Sequence, residues 1–302
     1  MSSSETEQPV FKSGYVAIVG RPNVGKSTLL NNLLNFKVAS VTRRAQTTRH
    51  QIRGILNGDS YQVVFLDTPG LLAPRYKLQE AMLQAALRSV RQADLTLFLV
   101  EATPKPEEED IRELDAVARL NPKLMLVINK IDRIAKHSLL PLMDSYSKEK
   151  RFQTLVPISA LHLDGLERLK QEIVQALPQG KPFYAQDQIL DHPERFLVAE
   201  MIREKIFLRY GDEIPYSTTV DIEEFKERKK RKDYIRAVIY VERQSQKGIL
   251  IGKKGAALRD IGARARREVK EILGRPVYLE LWVKVKEKWR QSEIILKELG
   301  YH

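Results

Sequence analysis

Near the start of the chain, one run of residues has the types and the spacing of a phosphate-binding loop. It reads Gly20-Arg21-Pro22-Asn23-Val24-Gly25-Lys26-Ser27, the pattern G-x-x-x-x-G-K-S, between a β-prone run at 15–19 and a helical pattern that continues through Thr28. The glycines allow successive backbone N–H groups to point at one anion at a helix N-terminus. In such a loop Lys26 reaches the β- and γ-phosphates, and the Ser27 hydroxyl ligates Mg²⁺. The sequence therefore predicts a nucleoside triphosphate site that includes residues 21–28.

A second motif indicates which base is bound. Asn129-Lys130-Ile131-Asp132 follows an apolar run at 124–128. A carboxylate at Asp132 can accept from both the ring N–H and the exocyclic amine of guanine, whereas adenine offers an acceptor there and no amine. Lys130 can lay its stem over the base, and Asn129 can bond either the base or the phosphate loop. The tetrad therefore favours guanine.

A third motif closes the base site. Ser159-Ala160 ends another strand-like run, at 154–158. We expect the backbone N–H of Ala160 to bond the guanine oxygen.

Two further segments are candidates for sensing the γ-phosphate. Asp67-Thr68-Pro69-Gly70 follows the apolar run 63–66, at the strand end where α/β sheets place ligands. We expect Asp67 to hold Mg²⁺ through water and the Gly70 N–H to reach the γ-phosphate, so that the segment after it can switch. Upstream, one threonine of the pair 47–48 can complete the Mg²⁺ shell. The sequence does not rank the two, and Thr48 is taken as the expected ligand.

The order of these five motifs resembles that of the translation-factor-related GTPases. The resemblance implies that GTP and GDP bind with Mg²⁺, that GTP is hydrolysed, and that Lys26, Thr48, Asp67 and Gly70 take part in catalysis. Relatives with asparagine at the position of Asn23 use potassium, so K⁺ is a further candidate ligand.

One departure from the pattern concerns the rate of hydrolysis. Many GTPases orient the attacking water with a glutamine directly after the D-x-x-G turn, but this chain has Leu71 and Leu72 there. Arg43, Arg44 and Arg49 are candidates to act in cis, although the sequence does not place them. We therefore expect slow intrinsic turnover that a partner raises.

The length and the motif map indicate two domains. The chain has 302 residues, and the nucleotide motifs finish at Ala160. A helical pattern and then Pro178-Gln179-Gly180-Lys181-Pro182 suggest a boundary, giving a GTPase domain at 1–182 and a smaller domain at 183–302. Alternating strand and helix patterns predict an α/β fold with a mostly parallel sheet in the first domain. Asn57-Gly58 between two strand patterns predicts one antiparallel hairpin.

The second domain has the element pattern of an RNA-binding fold. Its order is a helix at 196–208, strands at 217–222 and 234–242, a glycine-containing segment, a helix at 258–272 and a strand at 277–285. The G-x-x-G loop between two helical segments resembles the K-homology domain in its bacterial form (type II), an α+β fold that binds single-stranded RNA. The expected RNA contacts in this segment are Gly248, Ile249, Ile251, Gly252, Lys253, Lys254, Gly255 and Arg259.

Local charge supports the RNA interpretation. Residues 243–290 carry 14 basic and 5 acidic side chains, a net charge of +9. Clustered positive charge is what phosphate neutralisation requires. Residues after the last strand are expected to contribute to the RNA site: Lys286, Lys288, Trp289 and Arg290. For the arginines of the preceding helix, an ordinary solvated face is an equally good interpretation.

The two domains together resemble the Era family of bacterial GTPases. That resemblance implies binding to the 3′ end of 16S ribosomal RNA, assistance to 30S subunit assembly, and a monomer in the cytoplasm with a weak peripheral association at the inner membrane. Two alternatives stay open: a membrane-surface or signalling GTPase, and a constitutive RNA-binding protein that holds nucleotide as a structural ligand.

The absence of several sequence features excludes some kinds of site and of cellular setting. The sequence has no cysteine, so disulfides and thiolate metal sites are excluded, and its 5 histidines show no ligand spacing. Residues 1–10 are polar rather than signal-like, and no apolar run approaches the ~20 residues of a membrane span. These features favour a reducing, cytoplasmic setting.

Overall fold

A computed structural model describes residues 11–42, 44, 46–228 and 231–301. Contacts divide the described chain into two compact units. The first contains the residues up to Val38, His50–Leu72 and Gln84–Asp191. The second contains Ala39–Arg49, Ala73–Leu83 and the residues from His192 onward. Two short segments beside the nucleotide motifs therefore belong to the second unit.

The first unit is built on a sheet of six strands in the order β2-β3-β1-β4-β5-β6. The strands are β1 (Lys12–Val19), β2 (Ile52–Gly58), β3 (Tyr61–Asp67), β4 (Leu95–Glu101), β5 (Leu124–Asn129) and β6 (Thr154–Pro157). Every neighbouring pair is parallel except β2 and β3. The predicted α/β fold with one antiparallel strand is confirmed.

The central strands explain why this sheet is parallel and covered. All residues of β5 are buried, and all of β4 are buried except Glu101. Continuous apolar strands of this kind occur where helices cover both faces of a sheet. The helices of this unit are α1 (Lys26–Leu34), α3 (Glu108–Leu120), α4 (Lys136–Ser147) and α5 (Leu166–Ala176), and α2 (Lys77–Gln92) begins in the second unit.

The hairpin between β2 and β3 is present, but its turn lies later than predicted. Gly58 pairs with Tyr61, so Asp59 and Ser60 form the turn, while Asn57 pairs with Gln62 within the ladder. The Gln62 amide donates to Asn57 Oδ1 at 2.7 Å, and this bond holds the pair in register.

The second unit contains a sheet of three strands in the order β7-β8-β9. Its elements are α6 (Glu194–Arg209), β7 (Thr219–Lys226), β8 (Asp233–Val241), α7 (Gln244–Ile251), α8 (Ala256–Leu273), β9 (Val277–Val285) and α9 (Glu293–Glu298). β7 runs antiparallel to β8, and β9 runs parallel to it. The predicted element order is confirmed, and α9 is an addition. No helix in the described ranges is long and apolar enough to cross a bilayer.

Segment 39–49 is bonded into the second unit by polar contacts. Ser40 Oγ donates to the Glu200 carbonyl at 3.2 Å, and the Val41 N–H donates to Glu204 Oε1 at 3.1 Å. The guanidinium of Arg49 donates to the carbonyls of Pro215, Tyr216 and Thr218 at 2.8, 3.2 and 2.7 Å. Arg49 is only 2% exposed, so this segment is an integral part of the second core.

Segment 73–83 joins the same unit through an apolar cluster. Leu78 and Met82, in the first turns of α2, pack with Trp289, Leu296 and Tyr301. All five side chains are at most 4% exposed. The residues after β9 therefore fold against the beginning of α2.

Candidate nucleotide and nucleic-acid sites

The phosphate loop has the tight backbone that the glycine pattern predicts. Gly20 and Gly25 have φ of +141° and +104°, a region that L side chains rarely adopt. A Cβ at Gly20 would lie 2.2 Å from the Leu99 carbonyl oxygen, and one at Gly25 would lie 2.2 Å from Asn129 Nδ2. Both glycines are therefore required, because neighbouring strands and the base loop approach the backbone closely. Pro22 and Val24 lie in this curve, and Thr28 lies in the first turn of α1.

Lys26 is buried in the concavity of the loop. Its Nζ donates to the carbonyls of Gly20 and Arg21 at 2.9 and 2.8 Å. Burial lowers the pKa of this amine to about 8, although the charges of Asp67 and Glu113 oppose that shift. A desolvated ammonium held only by carbonyls is well placed to exchange those partners for phosphate oxygens.

Ser27 and Asp67 form an oxygen-rich pair beside Lys26. Ser27 Oγ donates to Asp67 Oδ2 at 3.1 Å, and Asp67 is fully buried. A hydroxyl and a carboxylate are the ligand types that Mg²⁺ prefers. The two predicted metal ligands of the first unit are thus together, and their chemistry fits this ion.

The D-T-P-G turn packs directly on the phosphate loop. Thr68 Oγ1 donates to the Ile18 carbonyl at 2.8 Å, and the Leu71 N–H donates to the Gly20 carbonyl at 3.1 Å. A Cβ at Gly70 would lie 2.8 Å from Pro22 N, so only glycine fits at this contact. Leu71 is 5% exposed, and its apolar side chain occupies the position where a water-orienting glutamine was sought.

Asn129 ties the base loops to the phosphate loop. Its Nδ2 donates to the Val24 carbonyl at 2.8 Å, and its Oδ1 accepts from the N–H groups of Lys130 and Ala160 at 2.8 and 2.9 Å. The sequence left this role open between the base and the loop, and the structure has the loop contact. The Ala160 N–H, which we expect to bond the guanine oxygen, donates to Asn129 Oδ1 in this structure.

Asp132 remains available as a carboxylate acceptor. Ser159 Oγ donates to Asp132 Oδ1 at 2.6 Å, and this bond is the main cause that lowers the pKa of Asp132. Lys130 pairs its ammonium with Glu101 at the end of β4. Asp132, Lys130, Ser159 and Ala160 are therefore gathered in one place, as the motif order predicted.

Sequence reasoning missed the acidic residues that surround Arg21. Its guanidinium pairs with Glu107 and Glu109, the latter at 2.9 Å, and lies 3.7 Å from Asp110. The side chain of Arg21 thus points to the start of α3, and only its backbone belongs to the phosphate loop. The run Glu107-Glu108-Glu109-Asp110 was visible in the sequence but carried no spacing rule that links it to residue 21.

Glu113, one turn further along α3, lowers the stability of the folded state when it is ionised. Burial, the largest cause, and the charge of Asp110 raise its pKa to about 7, while Arg21 and Lys26 act in the other direction. Among the described residues its Oε2 has no hydrogen-bond partner. The folded state therefore binds a proton at Glu113 more tightly than the unfolded chain does, so this group's stabilisation is present at low pH and lost as pH rises through about 7.

We expect Glu113→Gln to increase stability only where Glu113 is ionised. The free energy of unfolding should rise by about 1 kcal/mol at pH 8 and change little at pH 4.5. Thermal melts at the two pH values measure this, and Glu108→Gln, at an exposed position on the same helix, is the control. An equal effect at both pH values would contradict the assignment.

The threonine pair at 47–48 lies in the second unit, as do Arg44 and Arg49. Thr47 Oγ1 lies 2.6 Å from Thr42 Oγ1 and donates to the Arg44 carbonyl at 2.8 Å. Thr48 is buried as well. Among the arginines considered for catalysis in cis, Arg49 is committed to its carbonyl partners, and Arg43 lies outside the described residues.

The G-x-x-G loop has left-handed backbone at three of its four residues. Gly252, Lys254 and Gly255 have φ of +71°, +51° and +74°. Lys253 and Lys254 are exposed, and so is Arg259 on α8. Ile249 is 48% exposed and Ile251 is half-buried, so α7 presents apolar surface beside the loop.

Gly248 stands on the same surface and is not required by packing. A Cβ there would meet no atom of the described chain within 4 Å.

The residues after β9 require a correction. Trp289 was predicted to contact RNA, but it is fully buried and its Nε1 donates to the Ser217 carbonyl at 2.9 Å. Arg290 pairs with Glu242 and lies over the Tyr76 ring, 5.0 Å from its centroid. Lys286 bonds Glu298 at 2.8 Å. The physical reason is that an indole gains more from the apolar cluster at the start of α2 than from water. Only Lys288 of this group is exposed.

Comparison with known proteins agrees with these two sites. Residues 15–130 match the family described as "50S ribosome-binding GTPase", and residues 213–290 match the KH domain family. The chain is 48% identical to GTPase Era of Geotalea uraniireducens over 291 residues, which are 96% of this chain and 98% of that protein. It is 44% identical to GTPase Era of Ruminiclostridium cellulolyticum, again over 96% and 98% of the two chains.

Solved structures give the same result. A variant of Era from Aquifex aeolicus bound to GDP and aluminium fluoride is 43% identical, covers 96% of this chain and 99% of its own, and superposes with a TM-score of 0.93. An Era complex with MgGDPNP and nucleotides 1506–1542 of 16S ribosomal RNA has the same identity, coverage and TM-score. A GTPase family and the KH domain family thus match successive parts of one chain that aligns with Era proteins over nearly its whole length, and the protein is a GTPase that belongs to the Era family.

Proposed function

We propose that the protein is a GTP-dependent switch that binds the single-stranded 3′ end of 16S ribosomal RNA and assists assembly of the 30S subunit. The observation that carries this proposal is the membership of segments 39–49 and 73–83 in the KH-containing unit. These segments adjoin the motifs expected to sense the γ-phosphate. A change in them therefore acts on the packing of the RNA-binding unit.

The coupling follows from the contacts of those segments. Thr48 precedes Arg49, which is bonded to three carbonyls between α6 and β7. Gly70 lies a few residues before Leu78, which packs on Trp289 and Tyr301. When GTP orders Thr48 and Gly70, we expect it to restrain the Arg49 bonds that follow Thr48 and the Leu78 packing that follows Gly70. Because coupling is reciprocal, RNA must then tighten GTP by the factor by which GTP tightens RNA.

Guanine nucleotide with Mg²⁺ fits the first unit. Ser27 and Asp67 would hold the ion, and Mg²⁺ when bound neutralises charge on the β- and γ-phosphates. Thr48 stays the further ligand that the sequence leads us to expect. Lys26 binds phosphate oxygens, and Asp132 orients the base. The buried Leu71 supplies no group for activating water, so intrinsic hydrolysis is slow and a partner raises it.

The RNA groove is proposed at the surface formed by α7 and the G-x-x-G loop. Glycine inside a helix costs about 0.5–1 kcal/mol relative to alanine, and no neighbouring atom of the residues that the structure describes fills the space beside Gly248. We infer that glycine occupies position 248 because the backbone of a bound RNA approaches closely there. Ile249 and Ile251 offer apolar surface for unstacked bases, and Lys253, Lys254, Arg259 and Lys288 supply charge. The rRNA complex of the relative supports the choice of the 3′ end.

RNA affinity in two nucleotide states tests the proposal. A short oligonucleotide matching the 3′ end of 16S rRNA, and a scrambled control, are titrated with a non-hydrolysable GTP analogue and with GDP. We expect tighter binding of the matched RNA with the analogue. Equal affinity in both states would instead favour a constitutive RNA-binding protein, and binding to anionic vesicles without RNA preference would favour a membrane-surface GTPase.

Gly248→Ala sharpens this test. We expect the variant to fold at least as stably as the parent and to bind the matched RNA about tenfold more weakly, because a methyl group enters the groove. Gly211→Ala, the same change at a position in this unit where a Cβ would lie 3.7 Å from Arg44 Nη2 in ordinary contact, is the control. If Gly248→Ala bound the matched RNA with unchanged affinity, the RNA site would have to lie away from α7.

Three further features belong to the proposal. The exposed Asn23 is the candidate K⁺ ligand, and turnover in KCl against NaCl checks it. We propose a domain boundary at 182/183 and a monomer that meets its RNA in the cytoplasm. Peripheral association with the inner membrane remains an expectation of the family resemblance alone.

A further inference from the structure

We propose that Arg21 is a positioning residue, which holds the phosphate loop through the first turn of α3 and does not touch the nucleotide. The three carboxylates that surround its guanidinium, Glu107, Glu109 and Asp110, are here called the α3 clamp. No nucleotide motif of the sequence includes these residues. The proposal rests on nucleotide binding at Lys26 and Ser27.

Contacts with all three carboxylates fix the direction of the Arg21 side chain. Asp110 is 3% exposed, and Arg21 is the cation that lies 3.7 Å from its Oδ1. A guanidinium that moved to a phosphate would remove this positive charge from a desolvated carboxylate and would also break the shorter contacts with Glu107 and Glu109. The three contacts together, rather than the Asp110 pair alone, keep the Arg21 side chain at the clamp.

The main chain of Arg21 connects the clamp to the reaction site. The Arg21 carbonyl accepts from Lys26 Nζ at 2.8 Å, and the neighbouring Gly20 carbonyl accepts from the same amine at 2.9 Å. Residue 21 therefore has its side chain held at α3, and its carbonyl holds the lysine until that lysine turns to phosphate. The clamp is then the contact of residue 21 that persists, and without it the curve of the loop and the direction of its N–H groups are less well fixed.

The same stretch of chain also reaches the base loop. Glu101, at the end of β4, accepts from Lys130 and from Arg133 Nη1, the latter at 2.9 Å. One segment, from the end of β4 to the first turn of α3, thus contacts both nucleotide-binding loops. Preorganisation of binding groups raises affinity because less conformational freedom is lost when the ligand binds.

A double-mutant cycle on GDP affinity tests this role. Arg21→Met and the paired change Glu107→Gln with Glu109→Gln, which removes the two nearest carboxylates, are each expected to weaken GDP binding about tenfold, and the combined variant about tenfold as well, because both changes break the same anchor. Arg21→Lys, which keeps a cation at the clamp, should recover most of the affinity. The control is Lys170→Met, which breaks an exposed pair with Glu167 at 2.7 Å in the same unit.

Two results would overturn the proposal. An additive combined variant, weakened about a hundredfold, would mean that Arg21 contacts phosphate directly. Unchanged affinity in Arg21→Met would mean that the clamp has no effect on the loop. Thermal melts without nucleotide accompany each variant, and Glu107→Gln alone, which removes the carboxylate bonded to Arg21 Nη1, serves if the paired change does not fold. If the parent protein bound no GDP, the nucleotide site itself would fail, which is a distinct outcome.

Discussion

Replacing Asp132 with asparagine is expected to lower GTP affinity by a factor on the order of 10³ and to raise affinity for xanthosine triphosphate. We expect the carboxylate to accept from two donors of guanine, whereas the asparagine amide would present a donor of its own to one of them. Xanthine has an oxygen in place of the exocyclic amine and accepts that donor. The hydrogen bond from Ser159 lowers the pKa of Asp132, so the parent carboxylate is ionised at neutral pH.

Nucleotide titrations with GDP and XDP measure this switch in base specificity. Ser159→Ala is the matched control, since it removes the hydroxyl that orients Asp132 and leaves the carboxylate in place. It should weaken GDP by a few-fold and should not favour XDP. Unchanged GTP affinity in Asp132→Asn would mean that base recognition lies elsewhere.

Replacing Arg49 with methionine is expected to lower the free energy of unfolding by about 3 kcal/mol. Three carbonyls would lose their donor, each worth about 1 kcal/mol. Contacts of the guanidinium with the Phe207 and Trp289 rings, at 5.6 and 5.9 Å, would also be lost. Chemical denaturation checks the value, and Arg231→Met, at an exposed position, should change stability by less than about 0.5 kcal/mol.

The same variant tests the switch. Because Arg49 anchors segment 39–49 in the KH-containing unit, we expect the ratio of RNA affinities with GTP analogue and with GDP to fall toward one. Trp289→Phe, which removes the bond to Ser217 and part of the cluster with Leu78, provides a milder second variant. A ratio unchanged in both variants would show that neither segment transmits the nucleotide state.

Motif chemistry could be predicted from the sequence because it depends on short runs. The phosphate loop requires Gly20, Gly25, Lys26 and Ser27 at fixed offsets between a strand and a helix, and those offsets alone determine the backbone curve. Strand and helix periodicity likewise gave the α/β sheet, the antiparallel hairpin and the element order of the second unit. The turn of that hairpin was misplaced by two residues because the pairing of Asn57 with Gln62 outweighed the turn preference of Asn-Gly.

The uses of the long polar side chains were decided only by tertiary structure. Arg49 bonds residues 166–169 positions away along the chain, and Arg21 bonds Glu107, 86 positions away. Arginine, glutamate and tryptophan are compatible with a solvated surface, an ion pair or a buried cluster, so local spacing does not choose among these states. Trp289, expected at the RNA, is buried because α2 brings Leu78 and Met82 to it. The sequence by itself determined which ligands this protein can recognise, and the packing of distant segments decided which side chains remain free to meet them.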